Sequence, residues 1–307
     1  MAYLVPSLRN HTGVMNVKQR FSLLPAVALL LLLVRFPRQT AAGIQEGLTL
    51  CYRSVIPALF PFFAAVSLLV QLGLHRALQP LFAPLMKPLF GMSGAAVLPL
   101  VTGLLGGYPT GAKTAAELHR SGVLSKEETE RLLGFCNNCG PAFLLGFIGT
   151  TVLDDPALGM RLMGIHSTSA LLTGVVLCRL FPLKQGISLA VQPLGTTASP
   201  AQALPQAVSS AMGSILQICS YVVLFRPLAT AVAGAAPSWA VGILEMVSGI
   251  SLLSRDSFVA AAAIAAWGGL CVHCQTMAVT EGLSLRYHWM GKTLQTMISV
   301  GLAMSVG

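Results

Sequence analysis

An all-α polytopic membrane protein, with about seven or eight transmembrane helices plus re-entrant or broken ones, is the fold class that three features of this 307-residue chain predict. Its composition is 54% hydrophobic and 9% charged, against about 25% charged for an ordinary soluble domain, and its mean hydropathy is +0.74. Apolar runs of spanning length recur along it. Two such runs are cut by glycine, proline and polar residues, in GGYPTGAK from Gly106 and in GFCNNCGPAFLLGFIG from Gly134. A spanning segment must satisfy its backbone groups internally, so these breaks survive at membrane depth only where protein or a watered cavity covers them. Paired discontinuous helices are where secondary transporters place solute and ions.

The formal charge is +9, but the 19 Lys and Arg residues are scattered singly rather than gathered on one face, which argues against a nucleic-acid partner. They read as topology determinants and as contacts to membrane lipids. Seven cysteines lie mostly in apolar surroundings, where a free thiol behaves as a small hydrophobe and no disulfide framework is expected. Lys18 and Arg20 precede the apolar run 21–34, yet Arg35-Phe36-Pro37-Arg38 stands where a small-residue cleavage site should begin. A retained anchor is therefore expected.

In chain order, residues 1–20 form a polar tail and the first span lies near 21–36. A second lies within 44–74, where Pro57 and Pro61 are tolerable because neighbouring helices re-satisfy freed carbonyls. Segment 75–93 holds three prolines and two cations, too broken to span, and reads as interfacial or re-entrant. Residues 95–108 make a half-helix that ends in Gly106-Gly107-Tyr108-Pro109. A helix follows over 110–121, stopped by Gly122, and Ser125-x-x-Glu128 matches a capping box. The helix it opens runs through Asn137, Asn138 and Pro141 to about 152.

After Asp154-Asp155-Pro156 comes a span over 157–181, then a Pro, Gly, Ser and Thr-rich loop over 183–206, the best boundary in the chain. The rest reads as spans over 207–233, interrupted late by Arg226-Pro227, over 239–253 around Glu245, over 258–279 and over 289–307. The charges of connector 110–131 read as a solvated helical hairpin outside the membrane, with Glu127 and Arg131 paired at i,i+4.

The two halves echo one another. Gly134, Cys136 and Cys139 of GFCNNCG fall on Gly269, Cys271 and Cys274 of GLCVHCQ, with Asn138 on His273. Upstream of each lies an apolar segment with a polar break, GLLGGYPTGAK in one half and GILEMVSGISLL in the other. Weak repetition of this kind is the trace of repeated transporter architecture.

GGYPTGAK lacks the Gly-Lys-Ser/Thr ending of a phosphate loop, so nucleotide hydrolysis is not expected. Its glycines instead let backbone approach a ligand, while the N–H groups opening the next helix, with Thr110 and Lys113, face an anionic group. The alternative is a packing turn with Lys113 snorkelling to headgroups. Asn137 and Asn138 are costly in an apolar segment unless bonded, and read either as solute ligands or as interhelical glue. Glu245, an ionisable residue inside an apolar run, reads as a coupling or solute-contacting group, against a structural ion pair with Lys113 or an arginine. His273 and Gln275 cannot share one face of a regular helix; both point inward only if the backbone unwinds there. Arg226 reads as interfacial. The twin Cys-x-x-Cys pairs, Cys136/Cys139 and Cys271/Cys274, would signal zinc in a soluble protein, and with His273 they form the alternative reading of a metal-cation permease.

In order, GGYPTGAK, the SKEETERL connector and FCNNCGP resemble the sporulation integral membrane proteins of the YlbJ, or SpoVV, type, whose pattern is close to GYPxGAK…FCNxxGP. Glu245-x-x-x-Gly249 and Gly268-Gly269-x-x-Val272-His273-x-Gln275 extend the likeness over most of the chain from about residue 45. The resemblance implies membership of the nucleoside-recognition, or gate-domain, group, similar to concentrative nucleoside transporters and to the gate of ferrous-iron permeases. It implies two inverted gate-like repeats, and for the YlbJ type export of dipicolinic acid from mother cell toward forespore. The chain departs from the pattern at Asn138-Cys139, where small hydroxyl residues are usual, and at Cys274, where a small apolar one is.

Together these readings divide the chain into a tail and anchor helix (1–43), a first gate-like repeat (44–182) carrying the connector, a loop (183–206) and a second repeat (207–307). The function expected is a secondary transporter or facilitator of a small carboxylated or aromatic solute in the bacterial cell membrane, the outer forespore membrane if the organism sporulates. The expected solute-binding set is Gly107, Tyr108, Pro109, Thr110, Gly111, Lys113, Asn137, Asn138, Gly140, Glu245, His273 and Gln275. No cofactor and no enzymatic reaction are expected, since no serine, histidine and carboxylate set shares a depth. A homo-oligomer is compatible with this plan, and a non-transporting assembly factor is a third class.

Overall fold

The computed structural model describes residues 27, 30, 31, 33–183 and 199–306; the polar tail, most of the first span and most of the loop 183–206 lie outside the described residues. Every regular element described is helical. Helix α1 (Pro37–Leu50) passes through a wide π-type turn, Cys51–Val55, into α2 (Ile56–Gln71). That turn lies immediately before Pro57, which has no N–H to offer to a carbonyl one turn back. An 83° bend then leads into α3 (Leu74–Phe90).

Segment 75–93, read from sequence as too broken to span, is mostly a continuous helix. Pro80, Pro84 and Pro88 recur every fourth residue, so all three rings lie on one face, and that face is exposed. The bent pair α2–α3 together has the length and apolarity of one crossing, either a broken span or a re-entrant loop.

Helices α4 (Val97–Gly106) and α5 (Thr110–Arg120) form the interrupted hairpin expected from GGYPTGAK. Helix α6 (Lys126–Leu132) starts at Ser125, whose hydroxyl accepts from the Glu128 N–H at 3.1 Å. The reciprocal half of the capping box is absent: Glu128 turns away and accepts from the Ser93 N–H at 2.6 Å. The expected helix from Ser125 to about 152 is also divided. It stops at Leu132, residues 133–140 run as turns and irregular chain, and a π-type helix, Ala142–Val152, begins only after Pro141. The glycines at 134 and 140 and the missing proline N–H leave no continuous ladder there.

Asp155 caps α7 (Pro156–Leu180), accepting from the Ala157 and Leu158 N–H groups at 2.7 and 3.3 Å. Helix α8 (Pro200–Val232) begins earlier than the expected 207 and is not interrupted at Pro227. Pro227 packs against α1 at Gly43, where any Cβ would overlap it. The apolar piece around Glu245 splits into α9 (Ser238–Leu244) and α10 (Met246–Ser251), with Glu245 extended between them. The span 258–279 splits into α11 (Phe258–Trp267) and α12 (Gly269–Val279) at Gly268, φ 88°. Helix α13 (Arg286–Val306) closes the fold.

Among the described residues, three helical stretches are by themselves long and apolar enough to cross a membrane, Pro156–Leu180, Ala201–Val232 and Phe258–Val279, and the bent pair makes a fourth if it is one span. The other apolar segments among the described residues are cut to lesser lengths by the breaks above. Burial runs opposite to a soluble protein. Arg131 and Lys292 are among the largest fully buried side chains, while Leu105, Leu180, Met297 and Met304 are 61%, 66%, 67% and 70% exposed. Apolar groups face outward and costly polar groups face the bundle interior, as the bilayer demands. The chain is an integral membrane protein.

Candidate functional site

Glycine contacts set the frame. Gly103 of α4 and Gly111 of α5 lie against each other and against the Cys136 carbonyl oxygen, which a Cβ on either would overlap. Gly107, φ 79°, meets Gly140 in the same way, backbone to backbone, so the two broken stretches of the first half form one unit. The second half repeats the device. Gly242 of α9 and Gly249 of α10 touch, and Gly269 packs on the Gly242 carbonyl.

Between these hairpins lies a polar cluster whose hub the sequence reading did not single out. Helix α13 buries His288, Gly291, Lys292, Gln295 and Ser299, a polar stripe at helical spacing. The Lys292 ammonium donates to Gln295 Oε1 at 2.6 Å, to the Tyr108 hydroxyl at 3.0 Å and to the Ala266 carbonyl at 3.4 Å. It also lies 4.8 Å from the centre of the Tyr108 ring. All three acceptors are neutral. Among the described residues none of its partners is a carboxylate, although this ammonium is fully screened from solvent. Tyr108 in turn donates across the Gly268 break to the Ala265 or Ala266 carbonyl at 3.1 and 3.3 Å.

Asn138 joins the same network, accepting from Gln295 Nε2 at 2.9 Å and donating to the Phe135 carbonyl at 2.8 Å. Asn137 donates to Thr276 Oγ1 at 2.8 Å, tying the first half to α12, and its own carbonyl oxygen is buried without a partner. The Cys139 N–H donates to His166 Nε2 at 3.0 Å. His273 meets His288 at 2.9 Å and lies between the Trp267 and Trp289 rings, at centroid distances of 4.7 and 4.4 Å. Thr110 Oγ1, His166 Nδ1, Trp267 Nε1 and His273 Nε2 are also buried and unpartnered. Each is a hydrogen-bonding capacity that the protein leaves open.

The nucleoside-recognition Gate family profile matches residues 52–283. The chain belongs to the Gate family. It is similar to the sporulation integral membrane protein YlbJ of Bacillus subtilis (strain 168), with 31% identity over 166 residues. That alignment covers 53% of this chain and 41% of the relative, so the chain spans less than half the length of the protein it matches. No solved structure matches it. The resemblance to the YlbJ type within the gate-domain group, read from GGYPTGAK and FCNNCGP, is thus borne out.

Within this Gate chain, the residues singled out from sequence separate into distinct places. Tyr108, Asn138 and His273 gather around α13, and Asn137 joins them through α12. Gly107, Pro109, Gly111 and Gly140 build the hairpin backbone. Lys113 is engaged elsewhere: it pairs with Glu117 at 3.2 Å, donates to Ser210 at 3.4 Å and stacks over the Phe63 ring. It neither snorkels nor faces the cluster. Glu245 caps α10, accepting from the Val247 and Ser248 N–H groups at 2.9 and 2.8 Å and from the Ser248 hydroxyl at 2.6 Å.

Arg226, expected to be interfacial, binds Glu245 and Glu46, each at 3.1 Å. The ion pair of Glu245 with an arginine, one of its two readings, forms in the structure. Because α12 is regularly wound, Gln275 diverges from His273 and donates to Cys271 Sγ at 3.3 Å instead. The connector is not a solvated hairpin: Lys113, Glu128 and Arg131 are buried, while the expected Arg131–Glu127 contact forms at 3.2 Å.

The four cysteines of the metal reading fall apart. Cys136, Cys139 and Cys271 each belong to a different apolar cluster, and among the described residues no three His, Cys, Asp or Glu side chains group to hold a metal. Lys292 itself was legible in principle, as an ionisable residue four positions after His288 in an apolar stretch.

Proposed function

We propose that this chain is a secondary transporter or facilitator of a small carboxylated, aromatic solute such as dipicolinate, and that it acts in a sporulating cell, as the name of its relative suggests. The observation that carries the reading is the buried Lys292 ammonium, held only by neutral oxygens. A cation in the membrane interior is costly unless paired. A solute carboxylate at about 4 Å would return roughly 4 kcal/mol at an effective dielectric near 20. The planar rings of Tyr108, Trp267 and Trp289 suit a flat aromatic body, and the open hydrogen-bonding groups at Asn137 and Trp267 suit its polar edge.

The two glycine-paired hairpins support a pair of gate-like repeats, 44–182 and 207–307, rocking about this cluster to expose it to either side in turn. Since the cluster is screened from solvent, such a motion has to open it. The placement in the outer forespore membrane follows the same reading.

The test is solute flux into liposomes holding the purified protein, comparing dipicolinate, a nucleoside, ferrous ion and zinc. Saturable dipicolinate flux that vanishes in Lys292→Met supports the proposal. Equal flux in wild type and Lys292→Met, or flux of metal ions alone, overturns it.

A further inference from the structure

The hydrogen-bond directions around His273 fix where its protons sit. The Leu133 carbonyl can only accept, so His288 Nδ1, 3.3 Å away, carries the hydrogen that it donates there. In the neutral ring His288 Nε2 is then bare and accepts, which requires His273 Nδ1, 2.9 Å away, to be the donor. The last nitrogen in the chain, His273 Nε2, is left as a lone pair. It is buried and has no partner among the described residues.

Burial of an unpartnered acceptor is unfavourable, and a single proton would convert it into a donor. Indole rings flank the imidazole at centroid distances of 4.7 and 4.4 Å, at 77° and 47° to its plane. The titratable groups that act on the ring are His288 and Lys292, both on α13, with no carboxylate between them. The other elements packed on α12 bring Lys113 and Glu117 on α5, Arg226 on α8 and Glu245 ahead of α10, and these are engaged with one another. Lys292 therefore opposes a second positive charge while the site holds no anion.

We infer that His273 is the proton carrier of this transporter: Nε2 takes up one proton for each dicarboxylate bound, so that solute and proton cross together. The inference rests on the transport reading above. A dicarboxylate brings two negative charges, of which Lys292 balances one and the His273 imidazolium the other. The new Nε2–H, without a protein acceptor in the described structure, donates to the second carboxylate. On the entry side the N–H bond forms at the expense of a hydronium ion or buffer acid. On the exit side it breaks, the proton returns to water, and the pair of electrons stays on Nε2.

The experiment uses liposomes holding the full chain, with a pH-reporting dye inside and labelled dipicolinate as the probe. About one proton should enter with each dipicolinate, and an inward proton gradient should drive accumulation above equilibrium. In His273→Gln, whatever flux remains should no longer respond to the gradient. A wild-type ratio of zero protons per dipicolinate, or an undiminished gradient response in His273→Gln, overturns the inference. Since the stoichiometry is read on the wild type, failure of the variant to fold leaves the decision intact. Exchange of labelled for unlabelled dipicolinate without a gradient separates the two levels: exchange without proton movement sinks only the coupling, whereas no exchange sinks the transport reading and the coupling with it.

Discussion

The Lys292 ammonium lies 3.0 Å from the Tyr108 hydroxyl, joining residues 184 positions apart. Through this contact the broken hairpin of the first half is held directly to the last helix and, by the Tyr108 bond to the Ala265 carbonyl, to the break at Gly268. One cation on a continuous helix thus links two discontinuities.

Replacing Lys292 by methionine keeps the length of the side chain and removes its charge. Removing a buried charge that has no counter-ion also removes its desolvation cost, which offsets the loss of its three hydrogen bonds, so the midpoint of thermal unfolding in detergent should hold or rise while dipicolinate flux falls to background. Tyr108→Phe should do the reverse in part, leaving one ammonium proton unbonded at a cost of about 1–3 kcal/mol and lowering the midpoint. A parallel loss of stability and flux in both variants would assign Lys292 a purely structural role.

Gly103→Ala and Gly111→Ala each drive a methyl group into the Cys136 carbonyl, which is backbone and cannot yield. Both should abolish the folded, monodisperse protein. Gly301→Ala, in open space on a helix, should be stabilising by about 0.5–1 kcal/mol. Size-exclusion profiles of the three variants read the contrast.

Glu245 and Arg226 bind α8 to the break between α9 and α10, and Glu46 extends the link to α1. Glu245→Ala removes a helix cap, about 0.5–2 kcal/mol, and also leaves Arg226 short of a partner. A double-mutant cycle with Arg226→Met should therefore show coupling of about 0.5–3 kcal/mol. Additive effects would mean that the ion pair contributes nothing beyond the cap.

Asn137 and Thr276 form a single buried bond between the halves. Thr276→Val leaves the Asn137 amide with no partner and should cost about 1–3 kcal/mol. Because Asn137 already has an open carbonyl oxygen, the amide is free to turn, and solute affinity in the flux assay should change with stability. An unchanged KM in Thr276→Val would place Asn137 outside the solute path.

Read residue by residue, the sequence determined the class of the molecule and the first of its breaks. Composition demanded a membrane, and Gly106–Pro109 marked where a helix stops, because glycine and proline weaken or withdraw backbone donors whatever their neighbours are; the helix stops at 133–140, Glu245 and Gly268 fell inside stretches expected to be continuous helices. Partnership was another matter. Lys113 and Lys292 look alike in sequence, each a lone lysine beside small and apolar residues. Only the tertiary structure decided that Lys113 meets Glu117 one turn away while Lys292 meets neutral oxygens from Tyr108, Ala266 and Gln295. The same holds for Glu245, claimed by Arg226, and for Gln275, turned from His273 by regular winding of α12. A backbone break is a local property of the chain, whereas the role of a buried charge depends on which distant groups the fold brings within reach.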